Sequence, residues 1–328
     1  MTLFSLDALK TVVPLVKAVV FPTPQHAWPL LARRTGAEVW VKHENHAPTA
    51  AFKVRGGVTY IDTLKKCNPN VKGVVTATRG NHGQSIALAA ARADIPCTIF
   101  VPHGNSHEKN SAMEAFGGKL VVRGADFDEC RPYASRFAEE RGYHYVPSFH
   151  IDLVKGVSTY ALELFQAVPD LDAVYVPIGM GSGICSLITV RDLLGLKTEI
   201  IGVVAEAASA VALSFEKGSP VSTNSAQTFA DGLACRVPVA GAIEIIRRGA
   251  AHIARVSEEE IAVAMRAYYE DTHNLAEGAG AAPLAALLQE RDRMRRRRIA
   301  LVLSGGNVDG EIFAEVLAGR TPRPRMNA

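Results

Sequence analysis

The amino-acid sequence predicts an α/β protein of mostly parallel sheets flanked by helices, arranged in two groups of βαβ units. Three observations carry that expectation. Short apolar and β-branched runs alternate with longer amphipathic ones along the chain. Four of the apolar runs lead straight into polar turns holding Lys, Asn, Gly or Ser. The length of 328 residues suits one large domain or two moderate ones.

In chain order, strands are expected at 39–42, 73–78, 97–102, 119–122, 143–147, 173–178, 199–205 and 299–304. Helical stretches fall between them at 85–92, 106–116, 127–140, 183–194 and from 282 to about 294. Ser257 and Glu260 read as a capping box for a further helix, and Gly117-Gly118 ends a helix before a strand. Residues 61–149 group as a smaller domain, and residues 1–60 join 150–320 in a larger one. Residues 321–328 are expected to form a disordered tail.

Composition excludes several classes. A net charge of +3 is too small to imply nucleic acid. The run Arg295, Arg296, Arg297, Arg298 reads as a solvated helix end favoured by the dipole. The N-terminus lacks the pattern of a secretory leader, and no apolar run approaches the roughly 18 to 20 residues that span a bilayer. A cytoplasmic protein without membrane contact is expected. The cysteines at 67, 97, 130, 185 and 235 contain no C-x-x-C pair, which argues for reduced structural thiols over disulfides or zinc.

The chemistry is expected beyond the carboxyl ends of the strands. After the first strand, Lys53 stands between Phe52 and Val54 in a short turn. After the second, Thr78-Arg79-Gly80-Asn81-His82-Gly83 opens a helix. That turn suits an anion or a ring hydroxyl, or is a capping loop with Asn81 as N-cap. Gly179-Met180-Gly181-Ser182-Gly183 lets backbone close on a phosphate at a helix start. Such a turn also suits a nicotinamide dinucleotide, with Glu206 near the place of the ribose-binding acid. Ser304 ends the last strand within Ser304-Gly305-Gly306-Asn307, where it can offer one neutral hydrogen bond.

Taken together and in this order, these motifs resemble the fold-type II pyridoxal-phosphate enzymes, in the serine/threonine dehydratase and serine racemase branch. The similarity runs from Thr23-Pro24 to about Leu317, and it explains all four motifs where the dinucleotide reading explains one. It implies a two-domain, tryptophan synthase β-like fold with pyridoxal 5'-phosphate as cofactor, a small amino-acid substrate and a homodimer. It implies that Lys53 holds the cofactor and that Phe52 packs beside its ring. Asn81 would bond the ring hydroxyl, and Ser304 the pyridine nitrogen. Gly179, Met180, Gly181, Ser182 and Gly183 would wrap the phosphate, and Thr78, Arg79, Gly80 and His82 would hold substrate. The implied reaction is β-elimination from L-threonine or L-serine, giving a 2-keto acid and ammonia. A catabolic dehydratase without an appended regulatory domain is expected.

Departures from the pattern qualify these expectations. Pro48-Thr49-Ala50-Ala51-Phe52-Lys53 lacks the serine of the family's P-T-G-S-F-K segment. Arg79 stands where racemases of the branch carry a serine, and a guanidinium cannot accept a proton. It either pairs with a second carboxylate, as in 3-hydroxyaspartate, or turns to an acidic neighbour or the α-carboxylate. Glu206 and the Ala210 carbonyl match part of a divalent-cation site, but Ala212 replaces its aspartate, so no metal is expected. The remaining alternatives are a dehydratase for 3-hydroxyaspartate or phenylserine, a serine racemase or β-replacement synthase, and a non-catalytic amino-acid or cofactor-binding protein.

Overall fold

The computed structural model describes residues 3–324. The strands are β1 (Gln25–Ala27), β2 (Glu38–His43), β3 (Val74–Ala77), β4 (Cys97–Val101), β5 (Gly118–Val122), β6 (His144–Tyr145), β7 (Ala173–Pro177), β8 (Glu199–Ala205), β9 (His252–Val256) and β10 (Arg298–Leu303). The first helices are α1 (Leu6–Lys17), α2 (Pro29–Thr35), α3 (Lys53–Cys67), α4 (Asn81–Arg92), α5 (His107–Ala115), α6 (Phe127–Arg141) and α7 (Ile151–Ala167). They are followed by α8 (Ser182–Leu193), α9 (Ala210–Lys217), α10 (Ala240–Gly249), α11 (Glu258–Thr272), α12 (Gly278–Gln289), α13 (Arg291–Met294) and α14 (Gly310–Leu317).

Two sheets result. The larger has the order β1-β2-β10-β7-β8-β9 and the smaller β5-β4-β3-β6. Every pairing is parallel except that of the short edge strand β1 with β2. Strands β3, β4, β7, β8 and β10 are apolar on both faces and mostly buried, as strands covered by helices on two sides must be. This is the mostly parallel, helix-flanked α/β class that the alternation predicts.

Helix α3 is the mechanical link to the site. It packs against α4 and α7 so closely that Cβ atoms do not fit between them. A methyl on Gly57 would overlap Ser85, and one on Gly156 would overlap the Arg55 carbonyl oxygen. Beneath α3, Arg55 is fully buried and bonds Glu44 (2.8 and 3.0 Å), Glu163 (2.8 and 3.0 Å) and Thr159 (3.0 Å). Buried Lys42 bonds Glu163 (2.7 Å) and the Thr23 carbonyl (2.8 Å). Opposite charges in mutual contact offset the cost of their desolvation.

Several elements differ from expectation. Lys53 is the first residue of α3, not part of a free turn. Helix α4 begins at Asn81 with Gly80 as its N-cap, so Asn81 does not cap it. Strands β1 and β9 were not anticipated, because one is three residues long and the other carries His252 and Arg255. The helix expected at 282–294 is α12 followed by short α13. The break falls at Glu290, whose carboxylate is held by Tyr175, His252 and Arg293. The basic run therefore follows α13, where Arg297 and Arg298 meet Glu199 and Glu38. The Ser257–Glu260 capping box forms as read. In the tail, Pro322 is buried, and residues 325–328 lie outside the described residues. No helix of the described residues is long and apolar enough to cross a membrane.

Candidate active site

Parallel strands end together, so the turns that follow β2, β3, β7 and β10 meet at the carboxyl ends of the two sheets. They enclose a cavity of about 110 Å³. Every cofactor- and substrate-binding candidate lines it: Phe52, Lys53, Thr78, Arg79, Gly80, Asn81, His82, Gly179, Met180, Gly181, Ser182, Gly183 and Ser304. Glu206 and Ala210 do not. Glu206 is exposed in the short turn after β8, and no group of three or more His, Cys, Asp or Glu among the described residues could hold a metal. The five cysteines are unpaired, and all but Cys67 are buried.

Lys53 Nζ lies 3.0 Å from Ser182 Oγ and 5.0 Å from the centroid of the Phe52 ring. Burial disfavours its charged form and lowers its pKa to about 8, against the pull of the Glu277 carboxylate. The amine is therefore partly neutral near physiological pH, the state that a nucleophile or base needs. His82 is buried, with no partner for Nε2. Burial and the nearby Lys53 cation push it down to about 3, so its imidazole is neutral.

The N-termini of α4 and α8 both open on the cavity, where a helix start favours an anion. Gly179 has no room for a side chain, since a Cβ would overlap the Gly232 carbonyl oxygen. Gly181 caps α8 in the left-handed region at φ 99°. These constraints make the turn a backbone cradle suited to a phosphate. Ser304 is buried at the end of β10, and its carbonyl accepts from the Phe52 amide (3.1 Å), which ties that strand to the start of α3.

The sequence did not reveal what the polar candidates touch. Asn81 Nδ2 donates to Glu277 Oε1 (2.7 Å), and its Oδ1 accepts from Asn307 (2.8 Å). Burial raises the pKa of Glu277, with Lys109 and Asn81 opposing. Arg79 turns to an acidic neighbour: its Nη2 lies 3.1 Å from Asp231 Oδ1. Lys109 takes the other oxygen of Asp231 at 2.9 Å. Lys109, Asp231, Glu277 and Ser148 line the cavity too. Lys109 carried one signal, its place three residues after Ser106, which N-caps α5.

A family model described as pyridoxal-phosphate dependent enzyme matches residues 16–305. The chain is 37% identical over 287 residues to the L-threonine ammonia-lyase of Geobacter sulfurreducens, covering 87% of this chain and 71% of that protein. It is 30% identical over 312 residues to the L-threo-3-hydroxyaspartate ammonia-lyase of Saccharomyces cerevisiae, covering 95% of each. Among solved structures, it is similar to the processed form of threonine deaminase isoform 2 from Solanum lycopersicum. That match has a TM-score of 0.87 and 28% identity, and covers 96% of this chain and 94% of that one.

Proposed function

This chain belongs to the pyridoxal-phosphate dependent enzymes, and from that premise we propose that it is an ammonia-lyase for β-hydroxy amino acids, acting on L-threonine or L-serine. The observation that carries the reading is the buried Lys53 amine, its pKa lowered to about 8, facing a glycine cradle at the N-terminus of α8.

The residues present fit the cofactor. Gly179 and Gly181 leave backbone N–H groups free to meet a phosphate, and Ser182 adds a hydroxyl. Ser304 would offer a neutral hydroxyl to the ring nitrogen, Asn81 an amide to the ring hydroxyl, and Phe52 an apolar wall. Bound there, the cofactor supplies the electron sink that lets a proton leave Cα. Lys53, as a neutral amine, takes that proton. The backbone from Thr78 to His82, at the start of α4, orients the substrate carboxylate. Neutral His82 adds no charge of its own. The β-hydroxyl leaves as water with the proton that Lys53 took from Cα, and the remaining enamine hydrolyses to a 2-keto acid and ammonia.

Arg79 supports an uncharged β-substituent, since its Nη2 is already paired with Asp231. We further assign residues 61–149 as the smaller unit that bears the asparagine turn, with 1–60 and 150–320 as the larger. The cytoplasm is the proposed location and a homodimer the proposed working form.

The test is ammonia and 2-keto acid release by cofactor-loaded protein. Separate stereoisomers of threonine, serine, 3-hydroxyaspartate and phenylserine form the panel. Release from L-threonine and L-serine is expected. A Lys53→Ala variant is expected to lose both turnover and the visible absorbance of the bound cofactor. Inverted substrate without keto acid would mark a racemase. A loaded protein silent on the whole panel would favour a synthase or a binding protein.

A further inference from the structure

The glycine turn carries one side chain that a backbone cradle does not require. Ser182 is the first residue of α8 and is buried. Its Oγ, 3.0 Å away, makes the only hydrogen bond of Lys53 Nζ among the described residues. Both partners are held by rigid backbone. On one side, Tyr160 and Ser186 donate to the Gly183 carbonyl at 3.1 and 2.6 Å, and a Cβ on Gly181 would press on Ala242 at 3.0 Å. On the other, Ser85 donates to the Lys53 carbonyl at 2.7 Å, and the start of α3 is tied to Ser304. The hydroxyl and the amine therefore meet because two helix starts are fixed, not because two flexible side chains happen to touch.

We propose that Ser182 is a positioning residue of the reaction, holding the Lys53 amine by accepting a hydrogen bond from its charged form and giving one to its neutral form. The inference rests on the reading of Lys53 as the group that takes the α-proton. In that step the Cα–H bond breaks, its electron pair stays with the substrate skeleton, and the proton joins the Lys53 nitrogen. The ammonium then directs one N–H at Ser182 Oγ, while the serine keeps its own proton. A hydroxyl suits this duty because it both donates and accepts. It also adds no charge beside the amine, so burial still sets the proton affinity of Lys53. Two titratable groups are coupled to Lys53: Glu277, whose charge raises its proton affinity, and His82, whose own proton affinity Lys53 lowers. One is a carboxylate whose proton affinity burial raises, the other an imidazole that stays neutral.

The experiment compares the full-length chain with Ser182→Ala and Ser182→Thr variants. In cofactor-stripped protein, the pH midpoint of Lys53 acetylation by acetic anhydride is followed by mass spectrometry. The alanine variant is expected to fall about one pH unit below the native protein, because an acceptor for the ammonium is gone, and threonine to restore it. In loaded enzyme, the alanine variant is expected to lose roughly ten- to hundredfold in kcat with KM within about threefold, again restored by threonine. A native midpoint together with native kcat in the alanine variant would overturn the proposal. So would a threonine variant as impaired as alanine, which points to packing, or a defect confined to KM and cofactor retention, which points to the phosphate cradle alone. If the native enzyme releases no ammonia from any amino acid, the functional reading falls, while the acetylation midpoint still decides the role of Ser182.

Discussion

Arg79 lies on the wall of the cavity, yet its Nη2 is already paired with Asp231, 3.1 Å away, and Lys109 shares that carboxylate. A guanidinium so engaged offers little to a second substrate carboxylate. An Arg79→Ala variant is therefore expected to keep the ratio of threonine to 3-hydroxyaspartate kcat/KM within about threefold. Loss of hydroxyaspartate turnover alone would instead make Arg79 a recognition residue. Single residues also mark how far the sequence could be read. Lys53, Asn81, Ser182 and Ser304 stood out through the company they keep, in four motifs that come after strands in one order. Their partners did not stand out. Asn81 and Glu277 are 196 positions apart, and Lys109 and Asp231 are 122, and no local pattern encodes such a meeting.

Among the elements, α3 and α7 cross on glycines. Gly56 faces the Leu153 carbonyl, where a Cβ would sit 2.8 Å from the oxygen, and Gly156 faces Arg55 and Thr59. Backbone on one side cannot yield as a flexible side chain does. A Gly156→Ala change is expected to cost about 1–3 kcal/mol, read as a lower urea midpoint at unchanged slope. Because α3 begins with Lys53, the same change should also loosen cofactor retention. Helices α4, α5, α6 and α8 were legible in the sequence, as was the capping box that starts α11. What escaped were α1, α3 and the longest helix, α7, together with β1 and β9, whose pairing is decided by neighbours far along the chain. The boundary between α12 and α13 also escaped, because it is set by the partners of Glu290 rather than by any local breaker.

Across the whole molecule, the two sheets have apolar cores of their own. Where they meet around the cavity, polar contacts line the seam: Asn81 with Glu277, Arg79 and Lys109 with Asp231, Glu108 with the Gly310 amide, and Ser106 with Asp309. Such a seam can part and re-form at lower cost than an apolar one, which suits motion during turnover. Acid should expose a weakness. Burial lowers both His43 and His82 to about 3, with His46, His26 and Lys42 adding to the effect at His43 and Lys53 at His82. The unfolded chain binds these protons below about pH 6.5, the folded chain only near 3. Stability is thus complete above 6.5 and drains away as pH falls toward 3, by up to about 1.4 kcal/mol per pH unit for each imidazole. Thermal midpoints measured between pH 7 and 4 should show this, and His43→Gln and His82→Gln variants should each flatten the decline. The buried cluster of Lys42, Glu44, Arg55 and Glu163 has a consequence for descent. Deleting one member strands a buried charge, at roughly 3–5 kcal/mol, a large part of the 5–15 kcal/mol that keeps a domain folded. Neutral drift cannot cross that gap one codon at a time. These positions should change together or not at all, and libraries of single substitutions should return them empty.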